Sequence, residues 1–426
     1  MTDQSYNHRQ TGTRALIHYS GRITISTDRV LLFFTALTPI LQHYNGILVN
    51  PSLALTSLLA VVALIRLLVR KIRFDAGFLF LVFYGVYASF IHGLNATYLM
   101  REMVQLVVYL AVINGLFDIK ILLSYCRKIA ICATILIIIQ YFCYYVLGFH
   151  LQLVAISLLE NSASQWFDLV RTGTIGVTGT RLSFYRPSAF FLEPSHFAIY
   201  CIPVIVTTLF SRTGDEKRER KIALFVSLGV LLSTSGMGIG IVVMCWAIYL
   251  GFFYGQKGEA RTIKLKKLLS VRSIALIIFF LIVLAVLYTS VPFFRHSVRR
   301  IFFSEGNASL TAIEGRTITG RRSLKMLHGI RRFIGYGDIY NIGGWNMAAF
   351  YFVTFRFGWV GTALFYSFYV YSLFKLKREA QMMTLVFFIL SFFTVHMFGA
   401  YYKMYYTMII LYGYVQKSME KSMEKT

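Results

Sequence analysis

Glu193 and His196 are two residues whose types and spacing could do chemistry. They stand three positions apart with Pro194 between them. Proline suits the first turn of a helix, where its missing N–H is harmless, so a helix is predicted to begin here. Residues three apart share a helix face, and Glu193 would lie near the positive end of the helix dipole. The pair could serve as an acid–base site, and an ion pair that anchors the helix end fits the same residues.

Arginines precede this pair and crowd a second segment further along the chain. Arg181 and Arg186 could pair with Glu193 or with a ligand phosphate. Segment 293–347 has nine basic residues, namely Arg295, Arg299, Arg300, Arg316, Arg321, Arg322, Lys325, Arg331 and Arg332. The planar guanidinium binds phosphate oxygens in bidentate fashion and keeps its proton. The pattern predicts a phosphate or pyrophosphate site, and adhesion to anionic lipid headgroups is the alternative.

His92, Arg101 and Glu102 form a third polar group, near the ends of two predicted helices. Neighbours in sequence do not face each other on a helix, so Arg101 and Glu102 must each find another partner. They could line the same cavity, or extend to the membrane interface along their aliphatic stems. His396 and Gln140 lie alone in apolar runs, where an ordinary helix–helix hydrogen bond is expected.

The composition places these residues in a membrane protein. Of 426 residues, 57% are hydrophobic and only 14% are charged, whereas a soluble domain has about 25% charged residues. A membrane-crossing helix needs roughly 20 mostly apolar residues, and the chain has many such runs. The formal net charge of +25 would suggest nucleic acid in a soluble protein. Here it is explained by basic cytoplasmic loops, so no nucleic-acid partner is expected.

About twelve apolar runs are predicted to cross the membrane as α-helices. The predicted spans are 30–49, 52–69, 76–93, 98–117, 126–148, 188–210, 221–235, 237–255, 273–292, 348–374, 381–400 and 403–416. With the N-terminus in the cytoplasm, every inner connection is basic and the short outer turns are nearly uncharged, as the positive-inside rule requires. The predicted fold class is therefore an all-α polytopic membrane protein with both ends cytoplasmic.

A single transmembrane domain is predicted for residues 30–416, with cytoplasmic tails at 1–29 and 417–426. Two long outer segments interrupt it, at about 149–187 and 293–347, and loops of this length are usually functional or disordered. The first tail lacks the apolar stretch and cleavage site of a signal peptide. The five cysteines lie in apolar runs without metal-ligand spacing. Neither a disulfide framework nor a zinc site is expected.

Four short motifs follow one another between residues 186 and 346. They are Arg186-Pro187-Ser188-Ala189-Phe190-Phe191-Leu192-Glu193-Pro194-Ser195-His196-Phe197-Ala198, Ser233-Thr234-Ser235-Gly236, Gly315-Arg316 or Gly320-Arg321, and Gly335-Tyr336-Gly337 with Asn346 after it. Their order resembles that in Wzy-type polysaccharide repeat-unit polymerases, over residues 180–360 and in overall topology. The Glu-Pro-Ser motif is the most specific. Related lipopolysaccharide ligases place a histidine near the position of Asn346, which favours a polymerase.

The resemblance implies a polytopic glycosyltransferase of the GT-C type in the bacterial inner membrane. Its donor and acceptor would be undecaprenyl-pyrophosphate-linked oligosaccharides at the periplasmic face, surrounded by membrane lipids. A growing O-antigen or capsular chain would be transferred to the non-reducing end of one repeat unit, with inversion at the anomeric carbon. A chain-length regulator and a flippase are the implied partner proteins, and no cofactor is implied.

The residue types suit that scheme. A pyrophosphate leaving group needs its charge neutralised, which arginines do without a metal, and no Asp-rich metal site appears in either outer segment. The predicted pyrophosphate ligands are Arg181, Arg316, Arg321 and Arg322, joined by Arg186 in the catalytic set. The attacking hydroxyl needs a base or hydrogen-bond acceptor, for which Glu193 is the first candidate and His196 the second.

Three alternatives belong to other classes. An O-antigen ligase would transfer finished polymer to the lipid A-core. A lipid-linked oligosaccharide flippase or transporter would need charges deep in the membrane and, often, internally repeated halves, and the sequence shows neither. A non-catalytic lipid-binding or regulatory protein would need only the basic surface.

Overall fold

The computed structural model of the protein describes most of the chain. The described residues are 27–44, 50–70, 72–91, 93, 96–159, 185–211, 215–253, 282, 285–286, 288–290, 295, 312–337, 347–376 and 378–423. Most of predicted span 273–292 lies outside them, as do His92, Arg181 and Asn346.

Helices dominate the described residues. In chain order they are α1 (27–41), α2 (Pro51–Leu68), α3 (Ala76–Ile91), α4 (Ala96–Ile113), α5 (Ile119–Tyr145), α6 (Pro194–Leu209), α7 (Glu216–Leu232), α8 (Gly236–Ile248), α9 (Ala312–Lys325), α10 (Arg331–Ile334), α11 (Ala349–Lys375), α12 (Arg378–Ser391) and α13 (Ala400–Met423). Two 3-10 turns (Ile156–Leu158 and Val395–Met397) and a π-turn (Tyr249–Phe253) complete them. Among the described residues there is no β-strand, so the all-α prediction is confirmed for them.

Local capping explains where several helices begin. The side chains of Asn50, Asp118, Asp215 and Ser235 each accept a hydrogen bond from a backbone N–H in the following turn. These residue types stabilise a helix start by satisfying N–H groups that lack an intrahelical partner. The cap at Asp118 begins α5 seven residues before the predicted span, which starts at 126.

Other boundaries also differ from the predicted spans. Helix α6 begins at Pro194, as the proline predicts, and therefore six residues inside span 188–210, because residues 188–193 form a turn in which Ala189 has a φ of 53°. Helix α13 continues to Met423, beyond the predicted end of the last span at 416.

Apolar composition marks some helices as able to cross a membrane. Among the described residues, α2 and α5 are long and apolar enough to do so, and α3, α6 and the stretch Gly236–Gly251 are shorter apolar helices. Length and composition alone support this statement. It agrees with the predicted membrane location and gives no number of spans.

Helix α6 lies at the centre of the bundle. It packs against α5, α7, α8, α12 and α13, and each of its residues except Ser195 is buried. A helix that is apolar and covered on all sides holds its first turn in one position. The side chains of that turn are therefore attached to a rigid helix.

Helix α11 is broken at Gly358, where φ is 65° and ψ is −172°. The break leaves carbonyl groups of residues 355–357 without helical partners. They accept hydrogen bonds from the backbone N–H groups of Tyr336 and Gly337 and from the Tyr87 hydroxyl, at 3.0, 2.8 and 2.9 Å. The Gly-Tyr-Gly motif thus docks onto the break in α11.

Candidate active site

The first turns of α6 and α13 lie side by side at one end of the bundle, which we call the polar end. The Tyr402 hydroxyl donates to the carbonyl oxygen of His196 at 3.1 Å. One turn further on, the Tyr406 hydroxyl donates to another α6 carbonyl at 2.8 Å, so the two helices are parallel. Lys403 pairs with Glu102 in the second turn of α4, which brings the start of α4 to the same end.

Glu193 is the residue from which α6 starts. It has extended backbone angles, with φ −150° and ψ 162°, and Pro194 follows as the first helical residue. Its carboxylate does not cap the helix. Instead its Oε1 accepts a hydrogen bond from the Ser195 hydroxyl and lies 3.7 Å from His196 Nε2. The predicted helix start and the shared face of Glu193 and His196 are both present.

His396 completes a cluster with these two residues. It projects from the 3-10 turn Val395–Met397 between α12 and α13. Its Nε2 lies 3.1 Å from His196 Nε2 and 3.7 Å from Glu193 Oε1. The sequence predicted only an ordinary helix–helix hydrogen bond for His396. Two hundred residues separate it from His196, and no local spacing could have revealed that the two imidazoles meet.

His43 adds a third imidazole. Its ring is stacked on that of His196, with centroids 4.8 Å apart and planes within 2° of parallel. Its Nε2 is buried, and among the described residues no hydrogen-bond partner reaches it. Sequence reasoning did not select His43, which lies just beyond the end of α1. A buried imidazole nitrogen beside a carboxylate–imidazole cluster is available to a ligand.

The segment before α6 is held by a buried amide side chain. Gln140 Oε1 accepts a hydrogen bond from the backbone N–H of Ala189 at 2.9 Å, and its Nε2 donates to the carbonyl of Leu151 at 3.1 Å. Ala189 adopts a φ of 53°, which small residues tolerate better than β-branched ones. Gln140 therefore fixes the turn that sets the direction of Arg186 and Glu193.

Arg186 contacts the serine-rich turn between α7 and α8. Its Nε donates to Thr234 Oγ1 at 3.2 Å, and Thr234 itself has a φ of 61°. Ser233 and Ser235 beside it are buried. Two of the predicted motifs, separated by almost fifty residues, therefore meet in space.

Tyr185 borders this contact. Its ring stacks on that of Tyr144 with centroids 4.5 Å apart. Burial raises the pKa of Tyr185 to about 12, because the phenolate would lose its hydration. The hydroxyl therefore stays protonated at neutral pH and adds no negative charge beside Arg186.

The predicted phosphate-binding arginines of the second segment are placed unequally. Arg321 and Arg322 are exposed near the end of α9, and Arg322 lies in its last turn. Arg316 belongs to the same helix, and Arg181 lies outside the described residues. A Cβ on Gly320 would fall 2.3 Å from the ring of Tyr351, so glycine there permits α9 to lie close against α11.

Helix α11 connects this region to the histidine cluster. The backbone N–H of Ala349, at its start, donates to the carbonyl of Thr394 at 3.1 Å. The Thr394 hydroxyl in turn accepts from the backbone N–H of His396 at 3.2 Å. The start of α11 therefore lies at the polar end, beside His396.

Arg101 and Glu102 have separate partners, as predicted. Glu102 pairs with Lys403, while the Arg101 guanidinium lies 5.8 Å from the centre of the Tyr98 ring. Arg356, which the sequence did not single out, also acts electrostatically on Tyr98. Both arginines are half-buried, so positive charge gathers between α4 and α11 near the polar end.

Comparison with known proteins adds no precedent for this arrangement, since no protein-family model, curated protein or solved structure matches the chain. Its activity is therefore inferred from its own residues. At the polar end, a carboxylate, clustered imidazoles and half-buried arginines lie at the starts of parallel helices. Such a set can accept a proton and neutralise an anionic group.

Proposed function

We propose that the protein is a membrane glycosyltransferase that polymerises undecaprenyl-pyrophosphate-linked oligosaccharide repeat units. The product would be an O-antigen, capsular polysaccharide or exopolysaccharide made at the periplasmic face of the bacterial inner membrane. One observation carries the proposal. Arg186 contacts Thr234 in the serine-rich turn while Glu193, seven residues later, begins α6 beside His196.

Exposed apolar side chains support the membrane location. On α2, the side chains of Leu58, Val61, Ile65 and Leu68 are between 50% and 78% exposed. They are spaced three and four residues apart and so form one face of the helix. An apolar face of this size is unfavourable in water, and the acyl chains of a bilayer would cover it.

The proposed twelve-span topology is consistent with where the charges lie. In that topology α4, α6 and α13 each run from the periplasm to the cytoplasm, so their first turns share the periplasmic face. At the other end of the bundle Arg127 makes a two-pronged contact with Glu219, at 2.9 and 2.7 Å. Arg66, in the last turn of α2, pairs with Asp28, in the first turn of α1. Both pairs lie on segments assigned to the cytoplasmic side.

The chemistry follows from the nature of the leaving group. The acceptor hydroxyl oxygen forms a bond to the anomeric carbon of the donor sugar as the bond from that carbon to pyrophosphate oxygen breaks. The hydroxyl proton passes to Glu193, with His196 as the second candidate. The electron pair leaves with the pyrophosphate. Arg186 would stabilise the developing charge electrostatically, and attack opposite the leaving group inverts the anomeric carbon.

Arginines of the second segment extend the same electrostatic argument. Arg321 and Arg322 are exposed on α9, which packs on α11, and the start of α11 lies beside His396. We assign them, with Arg181 and Arg316, to binding the two pyrophosphates. A planar guanidinium binds phosphate in bidentate geometry.

Gene deletion tests the proposed activity. A polymerase-deficient strain should retain surface molecules with a single repeat unit and lose those with many units. Accumulation of finished polymer on the carrier lipid would instead indicate a ligase. Repeat units trapped on the cytoplasmic face would indicate a flippase, and either result would overturn the proposal.

Complementation of the deleted strain tests the arginine assignment. Arg321→Glu should fail to restore polymer while single-repeat product persists. Lys325→Glu is the matched control, because it reverses the same charge at a residue that is also exposed, one turn later on α9. Normal polymer length with Arg321→Glu would contradict the role of Arg321.

A further inference from the structure

We propose that Glu193, His196 and His396 bind a single Zn²⁺ ion. One ligand atom from each residue, Glu193 Oε1 and the two Nε2 atoms, lies within 4.8 Å of the other two. Two imidazoles and a carboxylate are a ligand set that zinc uses in sites with an open fourth position. Local spacing in the sequence does not predict this site, because His396 comes from a different segment of the chain.

The distances among the three atoms match those of a tetrahedral zinc site. The two imidazole nitrogens are 3.1 Å apart, and each is 3.7 Å from Glu193 Oε1. With metal–ligand bonds of about 2.0–2.1 Å, tetrahedral ligand atoms lie ~3.4 Å from one another. All three separations fall within a few tenths of an ångström of that value. An ion at the centre of the triangle would need little rearrangement of the protein.

Surrounding hydrogen bonds hold the ligands in place. The Ser195 hydroxyl donates to the same carboxylate oxygen that faces the imidazoles. Tyr402 donates to the carbonyl oxygen of His196, and Thr394 accepts from the backbone N–H of His396. The Ser195 hydroxyl is an outer-shell partner of a ligand atom, which orients the ligand and raises metal affinity. The other two bonds hold the backbone of His196 and His396 in place.

The cluster also has a further polar group and a route of entry. His43 Nε2 is buried with no hydrogen-bond partner among the described residues, beside the ring of His196. It is available to bond a water on the open zinc position. The side chain of His396 is 29% exposed, whereas that of His196 is 4% exposed. An ion would therefore enter past His396.

Zinc binding and the proposed glycosyl transfer share Glu193 and His196 but are tested separately. Zinc takes one carboxylate oxygen of Glu193, so the second oxygen would take the hydroxyl proton, whereas a zinc-bound His196 could not act as the base. The arginines neutralise the pyrophosphate whether or not an ion occupies the cluster. Binding is measured without any sugar substrate, so its failure would remove the zinc site and leave the polymerase proposal standing. A deletion result that contradicts the polymerase would likewise leave the zinc site standing.

Cobalt titration tests the site in the purified full-length protein. Co²⁺ is the probe, because it replaces Zn²⁺ and gives visible absorption bands that report coordination. All variants carry Cys132→Ser, since Cys132 is an exposed thiol that would bind Co²⁺, and are purified through a tag without histidines. We expect one Co²⁺ per chain, displaced by one Zn²⁺. Absence of saturable binding would overturn the proposal.

Variants distinguish the cluster from other ligands. Loss of an outer-shell partner typically lowers metal affinity by about 10–100-fold. His396→Gln removes a ligand and should weaken Co²⁺ binding by at least that factor. Ser195→Ala removes only an outer-shell partner and should weaken binding although all three ligands are present. His328→Ala is the control, because His328 is an exposed histidine on another segment and should leave binding unchanged. Each variant is first checked for an unchanged elution profile. Equal affinity in the Cys132→Ser parent and in its folded His396→Gln variant would contradict the site.

Discussion

Lys403 and Glu102 form a buried ion pair, with Nζ and Oε1 2.8 Å apart and side chains only 6% and 7% exposed. The pair joins α13 to α4 beside the carboxylate–histidine cluster. Lys403 also follows Tyr402, which bonds to the backbone of His196. The ion pair and the cluster therefore contact adjacent faces of the first turn of α13, about 100° apart around the helix.

Removing Lys403 should destabilise the protein strongly. Lys403→Met leaves Glu102 buried without a countercharge, a change that typically costs about 3–5 kcal/mol. The double variant with Glu102→Leu should recover most of that loss, since neither charge then remains. Thermal unfolding of the purified protein in detergent measures both. A double variant less stable than Lys403→Met would contradict this explanation.

Glu193→Gln should abolish polymer formation while preserving the fold. The amide is nearly isosteric and can still bond to Ser195, but it cannot take the hydroxyl proton. Loss of a general base typically lowers the rate by about 10²–10⁴-fold. Polymer synthesis in membranes from the variant strain is the measurement.

Glu219→Gln is the matched control for that experiment. Glu219 is a second partly buried carboxylate, paired with Arg127 at the opposite end of the bundle. Its amide variant should retain polymer synthesis. Equal activity in the two variants would remove Glu193 from the proposed chemistry.

Arg186→Lys should lower polymer synthesis more than Thr234→Val does. Lysine keeps the charge but loses the planar fork that matches a pyrophosphate. Thr234→Val removes only the hydroxyl that accepts from Arg186, a hydrogen bond to a charged group with a net value of about 1.5–3 kcal/mol. Polymer yield, normalised to protein in the membrane, compares the two. A larger loss in Thr234→Val would show that Arg186 acts mainly through the turn.

Gly335→Ala should destabilise the docking of the Gly-Tyr-Gly motif. Gly335 has φ 76° and ψ −170°, a region that costs other residues about 1–3 kcal/mol. A Cβ there would also fall 2.2 Å from the carbonyl oxygen of Arg356. Gly329→Ala is the control, since it has a positive φ of 52° but open space around it. Unfolding temperatures should fall further for Gly335→Ala, and equal shifts would refute the clash.

The sequence by itself determined the helices and the local geometry at the start of α6. Most helices are predicted by an apolar run that follows a polar capping residue, because both features involve only residues close in sequence. Pro194 at the first helical position, and the three-residue spacing of Glu193 and His196, follow from helix geometry alone. The separate partners of Arg101 and Glu102 follow from the same geometry.

Only the tertiary structure decided which side chains meet across the bundle. Lys403 as the partner of Glu102, and His43 and His396 beside His196, depend on contacts between segments that lie far apart in sequence. The break at Gly358 is also tertiary, since its carbonyls are satisfied by a motif twenty residues earlier. Helix periodicity determines which residues share a face, whereas packing determines what that face touches. For this reason Glu193 could be selected from its own neighbours, and the histidines that surround it could not.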